Sequence, residues 1–190
     1  MNNKLNGKKV AILATDGFEQ SELFEPRKAL EEAGAKVSIV SLKSGEIKGW
    51  NENDWGDSVK VDLTVAEANA DDFDALQLPG GVMNPDKLRV DETAVSFVKS
   101  FFDAGKPVAA ICHAPWTLIN AGVVKGREMT SYHTIRKDLE NAGARWTDKE
   151  VVVDNGLVTS RKPDDIPAFN RKMIEEIAEG EHRKQMTASQ

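Results

Sequence analysis

The pattern that most constrains the fold of this chain is an alternation of short apolar runs with longer amphipathic segments. The apolar runs are rich in Val, Ile and Ala and span residues 9–14, 36–42, 74–78 and 107–111. Residues 22–33 and 91–104 carry apolar side chains at helical spacing, and a further helix is predicted through about Ala121. Continuously apolar strands that alternate with helices are typical of a parallel sheet covered on both faces. The sequence therefore predicts an α/β fold with a mainly parallel central sheet.

Two regions depart from this alternation. Residues 44–58 are polar and rich in Gly, Asn and Asp, so we expect a loop with some strand character there. Its two aromatic residues, Trp50 and Trp55, either cover a pocket or an interface or fold onto the domain's own surface. Residues 151–153 and 157–159 flank an Asn-Gly pair, which predicts a hairpin because a type I′ turn needs positive φ at both central residues.

The chain is interpreted as one domain over residues 1–190, with a core at about 8–178. At 190 residues a chain buries roughly 70% of its unfolded surface, so it needs no disulfide or metal to fold. The final helix is predicted to begin near residues 164–165. The polar tail at 179–190 is expected to be frayed, with His182 facing solvent.

The composition argues against several function classes. Lys and Arg number 25 against 31 Asp and Glu, and a net charge of −6 without a basic tract disfavours nucleic acid or an anionic membrane as a partner. No apolar run reaches the roughly 18 residues that span a bilayer, and residues 1–9 lack the apolar core of a signal peptide. The expected compartment is therefore the cytoplasm. Nucleotide and zinc motifs are absent, so we expect no cofactor and no metal.

The single cysteine, Cys112, follows directly on the predicted strand at 107–111, and a helix is predicted immediately after it. Open parallel sheets form their sites at the carboxyl ends of strands. A sharp turn from strand to helix raises its central side chain above the sheet, and the start of a helix favours a thiolate. The alternative is a small buried core cysteine. The position at the strand end favours a reactive thiol.

Other strand ends supply candidate partners for this thiol. The pair Gly80-Gly81 ends the third strand and could present N–H groups to an oxyanion, or form an ordinary turn. Acidic residues at 15–22 meet the start of the first helix, where the helix dipole alone would also favour them. His113 is adjacent to Cys112, but neighbouring side chains diverge, so it is not automatically the base for that thiol. His133 lies in a predicted loop and faces either the pocket or solvent.

Three motifs occur together in order: Asp-Gly-Phe-Glu-Gln-Ser-Glu, Leu-Pro-Gly-Gly and Ala-Ile-Cys-His-Ala-Pro. With them the chain resembles the ThiJ/PfpI family over roughly residues 8–178, and is most similar to the PfpI and general-stress-protein branch. The resemblance implies a flavodoxin-like three-layer sandwich with a class I glutamine-amidotransferase-like core. It also implies that Cys112 is the nucleophile and that Glu22 hydrogen-bonds its sulfur. Gly80, Gly81 and the His113 N–H would form the oxyanion pocket, and Tyr132 would be a pocket tyrosine.

In the PfpI branch the histidine after the cysteine pairs with an acid from a neighbouring subunit. The resemblance makes Asp86, in a Pro-Asp step, the candidate for that acid, and it implies a homodimer or homohexamer. The chain departs from the family pattern in carrying Ala114 where glycine is usual, one extra residue at 81–86, and His133 where proline is common. The extra residue bears on how far Asp86 reaches.

The resemblance implies a stress-response enzyme that acts on glyoxal, methylglyoxal or their early protein adducts, as a deglycase or a glutathione-independent glyoxalase. Two alternatives stay open: an intracellular cysteine peptidase of PfpI type, and a non-enzymatic redox sensor or stress chaperone. An ionised Glu22 would raise the pKa of the Cys112 thiol, so we expect a protonated Glu22 that donates to the sulfur, with the two groups titrating as a coupled pair. His113, oriented by Asp86, would then be the general acid and base.

Overall fold

The structure is a computed structural model that describes residues 3–183 and 185. Its strands are β1 (Lys9–Leu13), β2 (Phe18–Glu19), β3 (Lys36–Ser41), β4 (Glu46–Asn51), β5 (Asp54–Lys60), β6 (Leu63–Thr64), β7 (Ala75–Leu78), β8 (Val108–Ile111), β9 (Glu128–Met129), β10 (Arg145–Trp146), β11 (Val152–Asp154) and β12 (Leu157–Ser160). Its helices are α1 (Gln20–Glu32), α2 (Met83–Leu88), α3 (Glu92–Asp103), α4 (Pro115–Asn120), α5 (Arg136–Asn141) and α6 (Ile166–Glu179).

Seven of these strands form the central sheet, in the order β11-β12-β8-β7-β1-β3-β6. All neighbouring pairs are parallel except β11 and β12. Every residue of β7, β8 and β12 is buried, so apolar residues predominate in these strands and do not alternate with exposed ones. The polar residues among them are Gln77, Thr159 and Ser160. The carboxyl ends of β1, β7 and β8 are therefore neighbours along one edge of the sheet.

Helices cover the central sheet on both faces. On one face α6 packs against α1, β8 and β12, around a buried cluster that includes Phe169 and Met173. On the other face α3 and α4 pack together over a larger cluster that includes Phe101 and Phe102. This three-layer arrangement confirms the predicted α/β fold.

The predicted strands and main helices are confirmed to within two residues at their ends. The C-terminal hairpin is also as predicted, because β11 and β12 are antiparallel and the turn residues Asn155 and Gly156 have φ of 48° and 90°. Among residues 3–183 and 185, no helix is both long and apolar enough to cross a membrane.

For residues 44–58 the predicted strand character is confirmed, and the predicted loop is wrong. β4 and β5 form an antiparallel hairpin that joins β2 in a separate three-stranded sheet. The hairpin buries only a few side chains, among them Ile47 and Val59, which pack in one cluster with Phe18. Because so few positions face the core, the sequence of this segment is dominated by the polar residues that face solvent.

The prediction that His182 faces solvent in a frayed tail is also wrong. The His182 N–H donates to the Gly105 carbonyl at 2.7 Å, and its imidazole is 3.2 Å from the Glu176 carboxylate. Gln185 is buried, and its amide donates to the Lys106 carbonyl at 2.7 Å. His182 and Gln185 therefore dock beside the turn that precedes β8. Residues 184 and 186–190 of the predicted tail lie outside the described residues.

Asn84 joins the ends of two central strands. It is fully buried in α2, and its Oδ1 accepts the N–H of Thr15, which follows β1, at 2.8 Å. Its Nδ2 donates to the Pro79 and Gly80 carbonyls after β7, at 2.9 and 3.1 Å. One amide side chain thus fixes the spacing of two loops that lead to the site.

We expect Asn84→Leu to lower the free energy of unfolding by about 2–3 kcal/mol, because it leaves buried backbone groups without partners. Urea denaturation measures this change. The matched control is Asn120→Leu, an exposed position at the end of α4, which should change stability by about 0.5 kcal/mol or less. Equal losses in the two variants would contradict a role for the Asn84 amide.

Candidate active site

Cys112 occupies a strained turn between β8 and α4. Its φ of 65° lies in the left-handed region, which non-glycine residues rarely adopt. The turn is held by backbone hydrogen bonds, from the Cys112 N–H to Ser160 at 3.0 Å and from the Tyr132 N–H to the Cys112 carbonyl at 2.9 Å. Pro115 begins α4 at a position that needs no N–H donor. This is the predicted elbow, and it places a buried thiol at the bottom of a pocket.

The two glycines after β7 allow the backbone to approach this thiol. A Cβ on Gly80 would lie 2.5 Å from the Cys112 Cβ and 2.7 Å from the Ile111 carbonyl oxygen, so no side chain fits there. Gly81 has a φ of 80°, and its N–H points towards the Cys112 sulfur, as does that of His113. The Gly80 N–H is already engaged by Glu22, at 2.9 Å from Oε2. Of the two glycines, Gly81 is the one whose amide faces the Cys112 sulfur.

Glu22 is fully buried in the first turn of α1, beside Cys112. Burial raises the pKa of Glu22 to about 8, and the negative charge of Glu19 contributes to the shift. Among the described residues, Oε1 has no hydrogen-bond partner, whereas Oε2 accepts from Gly80. Near neutral pH the carboxyl is therefore protonated and holds a proton that it can direct at the sulfur.

Burial also raises the pKa of the Cys112 thiol, and an ionised Glu22 would raise it further. The N–H groups of Gly81 and His113 act in the opposite direction, because they donate to the sulfur. The sequence expectation was that the helix start favours the thiolate; in the structure desolvation outweighs that effect. The thiol consequently needs a base at hand, and it depends on Glu22 staying neutral.

His113 supplies a base within reach of its own neighbour. Its Nδ1 lies 3.1 Å from the Cys112 Sγ, so the expectation that the two side chains diverge is wrong. The left-handed backbone at Cys112 turns the chain so that both side chains face the pocket. Burial lowers the pKa of His113 to about 4, and the charge of His133 adds to this. The imidazole is thus neutral and able to accept a proton.

Aromatic rings and one hydroxyl hold His113 in place. Tyr132 stacks on the imidazole with ring centroids 4.8 Å apart, and Trp116 meets it edge-on at 5.1 Å. The Thr134 Oγ1 lies 3.2 Å from Nε2. Thr134 was missed in the sequence because it belongs to a short 3₁₀ turn, residues 133–135, that only the folded chain brings over the histidine. His133 itself is exposed, packs against the Tyr132 ring and does not line the pocket.

Asp86 lies away from His113 within the chain. Its exposed carboxylate pairs with Arg89 at 2.8 Å. The Arg89 guanidinium lies 4.6 Å from the centroid of the Trp116 ring, and Trp116 in turn contacts His113. Among the described residues, these two side chains connect Asp86 to the imidazole.

The pocket above Cys112 has a volume of about 570 Å³. Its described lining includes three carboxyl groups and neither Lys nor Arg: Gly17, Glu19, Glu22, Trp50, Glu52, Gly81, Val82, Met83, Cys112, His113, Tyr132, Thr134 and Pro163. Trp50 comes from the β4–β5 hairpin, where its ring meets that of Trp55 at 5.5 Å. Of the two alternatives for these aromatics, the structure places Trp50 on the pocket wall.

Outside this pocket, one described group of side chains has ligand atoms close enough for a metal ion. The ligand atoms of Glu176, Glu179 and His182 lie within 4.8 Å of one another. Glu176 and His182 are already paired at 3.2 Å, which accounts for their proximity without an ion.

Comparison with known proteins identifies the family. The sequence matches the DJ-1/PfpI family over residues 8–176. Deglycase PfpI of Pyrococcus furiosus is 49% identical over 166 residues, 87% of this chain and 97% of that protein. YraA of Bacillus subtilis (strain 168), named as a candidate cysteine protease, is 48% identical over 168 residues, 88% of this chain and 96% of that protein.

The solved structures agree. Drosophila melanogaster DJ-1beta superposes with a TM-score of 0.81 at 30% identity, covering 95% of this chain and 94% of that one. The match extends over most of the chain, and the predicted family resemblance is confirmed. The protein with Cys112 at its strand-end elbow belongs to the DJ-1/PfpI family.

Proposed function

We propose that the protein is a cysteine-dependent enzyme that removes early glyoxal and methylglyoxal adducts from proteins. The observation that carries this proposal is the arrangement around one sulfur. The Cys112 thiol has the neutral imidazole of His113 at 3.1 Å and the protonated carboxyl of Glu22 beside it. The similarity to Deglycase PfpI supports the choice of substrate.

In this proposal His113 removes the thiol proton as the sulfur attacks. A proton moves from Sγ to Nδ1, and the thiolate is stabilised by the imidazolium, the Glu22 O–H and the N–H groups of Gly81 and His113. The neutral form of Glu22 matters here, because an ionised carboxylate would repel the developing negative charge. The sulfur displaces the amine from the former aldehyde carbon of the adduct: a C–S bond forms, the C–N bond breaks, and the amine leaves with the proton that His113 took from the thiol.

The remaining steps move a proton from the sulfur-bound carbon to its neighbour, which gives a thioester, and add one water. The water cleaves the C–S bond near the N–H groups of Gly81 and His113 and restores the thiol. A methylglyoxal adduct on an amine, R–NH–CH(OH)–CO–CH₃, takes up H₂O and yields R–NH₂ and lactic acid. The carbon that was the aldehyde is oxidised to the acid and the neighbouring ketone is reduced, so no external oxidant or reductant is needed. His113 can carry the proton between these carbons, since its neutral imidazole accepts a proton and the resulting imidazolium returns it.

Asp86 of a neighbouring copy is retained in the proposal as an acid that orients His113. Asp86 is exposed on α2, and two apolar side chains at the ends of that helix, Val82 and Val90, are 55% and 75% exposed. Exposed apolar groups beside a site favour burial against a second chain. The homodimer or homohexamer implied by the resemblance would bury this surface.

A peptidase of PfpI type is the second candidate, and one feature supports it. A further cavity of about 450 Å³ adjoins the pocket and shares Glu19, Glu52 and Pro163 with it. Together the two cavities offer room for more than a single small aldehyde.

Wild-type protein should convert a methylglyoxal-modified peptide to the free peptide and lactate, whereas Cys112→Ser should lose at least about 10³-fold in rate, as for other nucleophile variants. Chromatography of the peptide and an assay of lactate measure both products. Cleavage of casein with no release of lactate would favour the peptidase. Oxidation of Cys112 to a stable sulfinate without turnover of either substrate would favour the redox sensor.

Glu22 should make stability depend on pH in a defined direction. The folded carboxyl titrates at about 8 and the ordinary value is 4.5, so the folded state holds the extra proton between these values and stability falls as pH rises through them. We expect Cys112→Ser to lose free energy of unfolding from about pH 5 to about pH 9 relative to Cys112→Ser/Glu22→Gln. Urea denaturation across this range gives the difference, and Glu32→Gln, an exposed site, is the control. A constant difference between the two variants would show that Glu22 is ionised throughout.

Thr134 should act as a positioning residue for His113. With the thiol proton directed at Nδ1, the imidazole carries its own proton on Nε2, and the Thr134 hydroxyl accepts it. Thr134→Val removes the acceptor at nearly constant volume and should lower kcat about tenfold with little change in KM. Thr134→Ser should retain kcat. Loss of kcat in both variants, or in neither, would count against the hydroxyl.

A further inference from the structure

The mouth of the pocket is acidic, and its described lining contains no Lys or Arg. Glu19 and Glu52 line the same pocket as Cys112. No ion pair to either carboxylate occurs among the described residues. Burial raises the pKa of Glu19, and the negative charge of Glu52 contributes. The two carboxylates are therefore close enough to repel each other.

The adjoining cavity extends this acidic surface. Its lining shares Glu19 and Glu52 with the pocket and adds Glu25 and Asp57, again without Lys or Arg among the lining residues described. Each of these four side chains is at least partly exposed to solvent. A group that leaves the pocket past Glu19 and Glu52 therefore meets a second pair of carboxylates.

The rest of the pocket also suits a cation. The indole of Trp50 forms part of the wall, and aromatic faces attract guanidinium and ammonium groups. His113 is neutral near physiological pH, because its pKa lies at about 4, so it adds no positive charge. Glu52 is also placed relative to this indole, since the Trp50 Nε1–H donates to the Glu52 carbonyl at 2.9 Å.

We propose that Glu19 and Glu52 determine substrate specificity, by holding the positive charge of an arginine-borne adduct while its dicarbonyl carbon lies at Cys112. The inference rests on the proposed function for its reaction. The preference for a cation over a neutral group of the same shape follows from the pocket alone. A guanidinium suits two carboxylates and an indole better than a neutral thiol adduct does, because it forms charged, paired hydrogen bonds and stacks on aromatic rings.

Binding tests the charge preference separately from catalysis. The full-length Cys112→Ser protein is titrated with N-acetyl-arginine amide and with N-acetyl-citrulline amide, its neutral isostere, by calorimetry at low and high salt. We expect the arginine compound to bind about tenfold more tightly, as one charged hydrogen bond would give. The advantage should shrink at high salt, where exposed charges are screened.

Variants assign that preference to the two carboxylates. Glu19→Gln/Glu52→Gln in the Cys112→Ser background should abolish it, and Glu32→Gln, an exposed carboxylate outside both cavities, should retain it. Glu52→Gln alone is the variant that spares the neighbourhood of Glu22, because the charge of Glu19 affects the Glu22 pKa. Equal binding of the two probes, or a preference that survives the double substitution, would overturn the proposal.

Turnover then separates the two hypotheses. Wild type should show a higher kcat/KM for the methylglyoxal adduct of N-acetyl-arginine amide than for that of N-acetyl-cysteine amide, and Glu52→Gln should remove the difference through KM. Preferential binding without turnover of either adduct would end the proposed function and leave the charge preference standing. Turnover of both adducts at equal kcat/KM would end the specificity proposal and leave the function standing.

Discussion

The structure of the site depends on one buried carboxyl. Glu22 has no access to solvent, so its neutral form is favoured up to a pH of about 8. The backbone must come close enough to supply it with a partner, which requires glycine at position 80, since a Cβ there would collide with Cys112. The same close approach brings the Gly81 N–H to the sulfur. The ends of β7 and β8 and the start of α1 therefore meet around the Glu22 carboxyl.

The fold and the position of Cys112 at a strand-end elbow could be predicted from the sequence because both depend on local, repeated signals. Buried parallel strands need not alternate apolar with polar residues: β8 is apolar at every position and β7 at every position but Gln77. A cysteine directly after such a strand marks an elbow. The turn at Asn155 and Gly156 could also be predicted, since few residue types adopt the positive φ angles that it requires.

Other parts of the site depend on contacts between segments that are far apart in the chain. Such contacts produce no pattern in the local sequence from which they could be predicted. Thr134 reaches His113 only because a 3₁₀ turn folds over the elbow. The β4–β5 hairpin buries so few side chains that its polar sequence imitates a loop. The desolvation that raises the Cys112 pKa comes from residues packed around the thiol. Residue spacing along the chain does not show that packing, so the direction of the pKa shift could not be predicted. The His113 and Cys112 side chains were predicted to diverge, as neighbouring side chains do on an extended backbone. The left-handed backbone at Cys112 instead turns both towards the pocket.

The pocket is built from two structurally separate parts. Cys112, Glu22 and His113 stand on the central sheet and its first helical turns, whereas Trp50 and Glu52 belong to a hairpin in another sheet. Substitutions in the hairpin can therefore alter what enters without disturbing the proton network beneath. A lineage that keeps the first part constant is free to explore new compounds with the second. The hairpin is accordingly the segment in which relatives with the same residues around the sulfur can diverge, and the place to begin when altering which compounds this pocket admits.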